Sequence, residues 1–181
     1  MAADDRFSGP AGSLLGALGI EPERLAARGL RLCDEATDLV VAETGDDGRE
    51  HRLTPAAARN WQRMKSAADA DGIALAIVSA FRSIERQAEI IRRKLDSGQA
   101  IEKILAVSAA PGFSEHHTGR AVDVTTPDFT PLEEVFETSA AFEWLCRRAG
   151  DFGFSLSYPR NNSYGYAYEP WHWCYGAGAG D

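Results

Sequence analysis

The sequence predicts a single α+β domain. Segments with helical spacing alternate with apolar runs that suit strands. Glycine and proline pairs punctuate the boundaries between them. Helices and antiparallel strands follow one another in mixed order. At 181 residues the chain is long enough for one domain with a sizeable core, and it shows no internal repeat.

Residues 1 to about 28 are rich in Gly and Ala, with Pro10 and Pro22. Glu21 to Ala26 opens a short helix, because proline suits the first helical turn. Leu30 to Leu53 reads as short strands, Leu39–Ala42 and Glu50–Leu53, joined by a turn at Gly45–Gly48. Thr54-Pro55 starts a helix that runs to about Ala70, with Trp61, Met64 and Ala68 on its buried face. Asp71-Gly72 ends it. Ile73–Val78 is a continuous apolar run, read as a strand buried on both faces that delivers Ser79 to Arg82 to its end.

Ser83 caps the next helix, Ile84 to about Leu95. A further helix spans about Ala100 to Val107. The short strand Ala121–Val124 alternates so that Val122 and Val124 enter the core and Ala121 and Asp123 face a cleft. Pro131 to about Ala149 reads as helix, with Leu132, Val135, Phe136, Phe142, Trp144 and Leu145 as core candidates. Phe152–Tyr158 and Tyr166–Tyr175 read as the last two strands, and the tail beyond Gly176 as frayed.

The net charge of −8 argues against a nucleic-acid partner and against docking on an anionic membrane surface. No apolar run reaches the length of a membrane span. Cys33, Cys146 and Cys174 are an odd number without tight spacing, which suits reduced thiols rather than a disulfide framework. Asp4 and Asp5 stand where a signal peptide would carry basic residues. A cytoplasmic location is therefore expected, with periplasmic or phage-delivered ones as alternatives.

The chemistry concentrates in Pro111 to Asp123, PGFSEHHTGRAVD. His116 and Asp123 carry ligand types suited to Zn²⁺. His172, in the aromatic run Tyr168-Glu169-Pro170-Trp171-His172-Trp173, is the candidate third ligand. Glu169, three residues before it, is the candidate general base for a metal-activated water. His117 is the competing choice for the first ligand, one register away. Glu115 is read as solvated, His51 as an ordinary surface or hydrogen-bonded histidine, and Cys174 as a packed free thiol. Trp171 and Trp173 are placed at the site because they flank His172.

The pattern S-x-H-x-x-G-x-A-x-D, here Ser114, His116, Gly119, Ala121 and Asp123, is followed by E-x-W-H, here Glu169, Trp171 and His172. Ser79-Ala80-Phe81-Arg82-Ser83 with Gln87 precedes both. Together they resemble the zinc D-alanyl-D-alanine carboxypeptidases, which include the vancomycin-resistance enzymes and LD-carboxypeptidases of peptidoglycan. The resemblance covers roughly Thr54 to Gly176, with Ala80 and Phe81 in place of the usual glycine and tyrosine.

It implies a central antiparallel sheet flanked by helices, as in the hedgehog and DD-peptidase fold. Residues 1–53 would be an extension forming one cleft wall, 54–176 the zinc peptidase core, and 177–181 a tail. The implied activity is removal of the terminal D-Ala from peptidoglycan stem peptides or from the D-Ala-D-Ala dipeptide. The alternatives are LD-carboxypeptidase action, a lysin-like endopeptidase, and a non-catalytic zinc-binding interaction domain. Arg82 is the candidate catalytic cation, either for the developing oxyanion or for the substrate carboxylate. Gln87 and Ser114 would hydrogen-bond substrate or support the ligands, and Tyr168 and the tryptophans Trp171 and Trp173 would wall the cleft.

Overall fold

The structure, a computed structural model, describes residues 10–176. The expected tail, 177–181, lies outside the described residues, as do the first nine. Its helices are α1 (Pro10–Ala17), α2 (Pro22–Ala27), α3 (Pro55–Ala70), α4 (Ile84–Asp96), α5 (Ile101–Val107) and α6 (Ala140–Arg148). Its strands are β1 (Val40–Thr44), β2 (Glu50–Leu53), β3 (Ala76–Ser79), β4 (Ala121–Thr125), β5 (Phe154–Leu156) and β6 (His172–Tyr175). Among the described residues no helix is long and apolar enough to cross a membrane.

The central sheet has four antiparallel strands in the order β3-β4-β6-β5. A separate hairpin pairs β1 with β2. The sheet packs one face on α3 and α6. Val122 and Val124 of β4 and Trp173 of β6 join Trp61, Met64, Trp144 and Leu145 in this core. Strand alternation turns Asp123 and His172 to the opposite face. Register then aligns them, because Asp123 pairs with Ser79 on one side and with His172 on the other. Three neighbouring strands thus carry a row of polar side chains at one level of the sheet.

A second apolar cluster joins α1 and α2 to α4 and α5 through Leu15, Ile20, Leu25, Ile91 and Ile104. It fixes α4, which starts beside the site. Ser83 caps that helix by accepting the Arg86 amide hydrogen at 3.0 Å.

Several expected elements are shorter than their apolar pattern. The helix expected over 131–149 is a turn, a 3₁₀ stretch (Glu134–Thr138) and then α6, which Ser139 caps through the Phe142 amide. Leu132 has φ +61°. Leu132 and Val135 are 45% and 47% exposed, so neither is a core residue. Only Phe154–Leu156 and His172–Tyr175 of the last two expected strands pair in the sheet. Trp173, expected at the site, is buried in the core instead.

Gly119 joins the 3₁₀ turn Glu115–Thr118 to β4 and has φ +61°. A Cβ there would lie 2.7 Å from Leu39 Cδ2 and 3.3 Å from both Ala36 Cβ and Thr54 Cγ2. Gly119→Ala is expected to lower stability by about 2 kcal/mol, from left-handed strain and overpacking together. Chemical denaturation reads this directly; an unchanged midpoint would show that Leu39 yields freely and the backbone carries no strain.

Candidate metal centre and its cleft

The bend that Gly119 permits brings His116 back over β4. His116 Nε2 lies 3.2 Å from Asp123 Oδ2, and His172 Nδ1 lies 3.0 Å from Asp123 Oδ1. One ligand atom from each of the three residues falls within 4.8 Å of the others, and all three residues are buried. Tetrahedral Zn²⁺ with bonds of 2.0–2.1 Å would set neighbouring ligand atoms about 3.3 Å apart. The donor set and its spacing fit that ion.

Backbone and side-chain partners orient each imidazole. His116 Nδ1–H donates to the Ala80 carbonyl at 2.7 Å, which leaves Nε2 as the lone-pair nitrogen facing Asp123. His172 is held the other way round. Its Nε2 pairs with Glu115 Oε2 at 2.9 Å, so Nδ1 faces the site. Glu115 also accepts from Ser157 Oγ at 2.6 Å. The expected solvated Glu115 is therefore a buttress of His172. Its partners stand 42 and 57 positions along the chain, and no local pattern announces them.

His117 has no nitrogen to spare. It is fully buried, donates from Nδ1 to the Arg82 carbonyl at 2.6 Å, and accepts the Gly112 amide hydrogen on Nε2 at 3.1 Å. His51 is buried in the hairpin, away from this cluster.

Glu169 Oε2 lies 3.9 Å from His172 Nδ1. Its backbone amide donates to the Tyr158 carbonyl at 3.1 Å, and its carbonyl accepts from the His172 amide at 3.1 Å. Burial pushes its carboxyl up to about 7; the His172 charge opposes this and Asp123 adds to it. Burial would also raise Asp123, but the two histidines override it and hold that carboxyl well below its ordinary range.

Arg82 stands at the end of β3. Its guanidinium donates to Gln87 Oε1 at 2.7 Å and to Ser79 Oγ at 2.9 Å. Gln87 is 1% exposed and donates in turn to the Ala109 carbonyl at 2.6 Å. It does not line the cleft, so the expected substrate contact from Gln87 is replaced by a brace for Arg82. Burial lowers the Arg82 pKa, while the charges of Asp123 and Glu169 support the cation.

All these groups meet in a cavity of about 850 Å³. Arg82, Ser114, His116, Asp123, Tyr168, Glu169, Trp171 and His172 line it, together with Lys94, Ser108 and, as an exposed lip, Leu132 to Val135. Arg160 stacks over the Tyr168 ring at 4.1 Å and reaches Glu134 and Glu137, tying this lip to the last loop. Every described lining residue comes from Arg82 onward, so the described part of the front third, expected as a cleft wall, supplies none of them. Leu30 to Ala36 instead lines a second cavity of about 630 Å³ with Cys33 and Cys174. All three cysteines are free.

A family model described as VanY, D-alanyl-D-alanine carboxypeptidase, matches residues 50–179. The chain belongs to the VanY family. It is 34% identical over 145 residues to the putative carboxypeptidase YodJ of Bacillus subtilis, covering 76% of this chain and 53% of that protein. The chain thus spans about half the length of that curated relative. Among solved structures it is similar to the LdcB LD-carboxypeptidase, with TM-score 0.70 and 34% identity over 78% of this chain and 69% of that one. It is also similar to a mutant of the vancomycin-resistance D,D-pentapeptidase VanY in complex with Zn(II), with TM-score 0.62 and 26% identity over 83% and 89% of the two chains. The VanY family thus accounts for the fold, whose antiparallel sheet carries the buried Asp123 and His172 beside His116 on the preceding 3₁₀ turn.

Proposed function

We propose that this VanY-family chain is a zinc carboxypeptidase that removes the terminal D-Ala of peptidoglycan stem peptides or of D-Ala-D-Ala. The observation that carries this is the convergence, in one cavity, of His116, Asp123 and His172 with Glu169 and Arg82. Zn²⁺ held by His116 Nε2, the Asp123 carboxylate and His172 Nδ1 would supply an activated water and a Lewis acid for the scissile carbonyl.

The chain's own groups do the rest. Glu169 takes the proton of the attacking water and returns it to the departing amine. Burial raises its pKa, which strengthens it as the acceptor of that proton. Arg82, fixed by Gln87 and Ser79, presents a rigid positive charge to the substrate. Ser114, Tyr168 and Trp171 wall the cleft, and Glu115 keeps His172 in its ligating orientation.

A second reading, L,D rather than D,D cleavage, is favoured by the higher identity and TM-score against LdcB than against VanY. The deciding experiment pairs metal analysis with D-alanine release from D-Ala-D-Ala, from a pentapeptide ending in D-Ala-D-Ala, and from a tetrapeptide ending in L-Lys-D-Ala. About one zinc per chain and chelator-sensitive release establish the carboxypeptidase, and the faster substrate names its stereochemistry. Zinc without release from any of the three would overturn the reading. The free thiols support a reducing compartment, and we place the reaction in the cytoplasm, on precursors or recycled fragments.

A further inference from the structure

The cleft holds a second cation that neither the metal ligands nor the proton transfer employs. Lys94 lies on α4 seven residues beyond Gln87, on the same side of the helix. Its ammonium donates to Ser108 Oγ at 2.7 Å and lines the cavity. Lys65, by contrast, is neutralised by Glu43 at 2.8 Å. Among the described residues no carboxylate stands within ion-pair distance of Lys94. An ammonium has three donors, so the Ser108 bond leaves two for a ligand.

The two cations are held differently. Arg82 is braced from two sides, by Gln87 and by Ser79, the strand partner of Asp123, and its amide donates to the His116 carbonyl. Lys94 is instead bonded to Ser108, at the end of α5. Arg82 is therefore the cation beside the metal centre, and Lys94 stands farther along the same wall. A substrate's terminal residue offers a matching pair of targets. Its free carboxylate lies one residue, about 3.8 Å, beyond the carbonyl of the bond that is cut.

We infer that Lys94 binds the terminal carboxylate of the leaving residue, leaving Arg82 to the scissile carbonyl. This rests on the carboxypeptidase reading and deepens it, because it makes a free C-terminus the feature the cleft selects. A mobile lysine head can follow a carboxylate on a flexible peptide end, whereas the anchored guanidinium suits a fixed carbonyl position.

The test measures kcat and KM of the zinc-loaded protein on diacetyl-L-Lys-D-Ala-D-Ala and on the same peptide with a C-terminal amide. Wild type should prefer the acid about tenfold or more in kcat/KM, the scale of one hydrogen bond to a charged group. Lys94→Met should abolish that preference by raising KM for the acid alone, with the amide and the melting temperature unchanged. Lys94→Arg should restore it. Arg82→Lys should lower kcat on both peptides alike. Equal losses on acid and amide in Lys94→Met, or none, would overturn the role of Lys94 while leaving the carboxypeptidase standing. A wild type inactive on both peptides and on the matching acid and amide ending in L-Lys-D-Ala would overturn both readings.

Discussion

Glu169→Gln is expected to keep the metal and the fold and to lose about a thousandfold in kcat. The amide is isosteric, and the backbone bonds from residue 169 to Tyr158 and His172 survive the change. What disappears is the ability to accept a proton. The pH profile gives an independent readout. Glu169 works as a base, so kcat/KM should fall as the pH drops through its pKa, about tenfold per unit below it. Burial pushes that pKa up to about 7, and a dication beside it would pull it lower, so the acid limb should lie at or below 7. Residual activity in the variant should lack this limb. Full activity in Glu169→Gln would remove the residue from proton transfer altogether.

The second large effect separates two adjacent histidines by different observables. His116→Ala should cost more metal affinity than the roughly 10- to 100-fold typical of losing an outer partner, because it removes a proposed ligand. His117→Ala should keep the metal and lose stability. Its removal leaves the Arg82 carbonyl and the Gly112 amide without partners in a buried site, at about 1–3 kcal/mol for each group. Zinc content and melting temperature, measured on both proteins, should therefore change in opposite patterns. A His117→Ala protein that is stable and metal-free would reverse the assignment.

Local signals made much of the fold legible. Thr54-Pro55 and Asp71-Gly72 bracket α3, which runs Pro55–Ala70. The alternation of Ala121 to Val124 put Asp123 opposite the core, and the sheet register then set it beside His172. The same signals failed where apolar spacing lacked burial. Leu132 and Val135 repeat at helical distance, yet they form the cleft lip, and the left-handed backbone at Leu132 breaks the helix that spacing suggested. The aromatic run before His172 looked like strand, but Pro170 cannot extend a ladder and pairing begins only at His172. Glu115 departs from the solvated role expected of it, and Gln87 takes the supporting one of its two expected roles, for another reason. Their partners are distant in sequence or buried behind the reacting groups, so neither residue type nor spacing could reveal whom they hold.

The main-chain bonds between the end of β3 and the metal loop have an evolutionary consequence. The Arg82 amide donates to the His116 carbonyl, and the Arg82 carbonyl accepts from His117. The proposed oxyanion cation and the first proposed ligand are thus welded into one unit with the sheet. The lip belongs to short turns with exposed apolar side chains, anchored below by the buried Phe136 and tied at the surface by Arg160. Insertions and substitutions there can lengthen, narrow or reopen the groove without moving a reacting atom. Under the proposed chemistry, the length of peptide that the groove accepts can then drift by editing a rim while the reacting groups stay where they are.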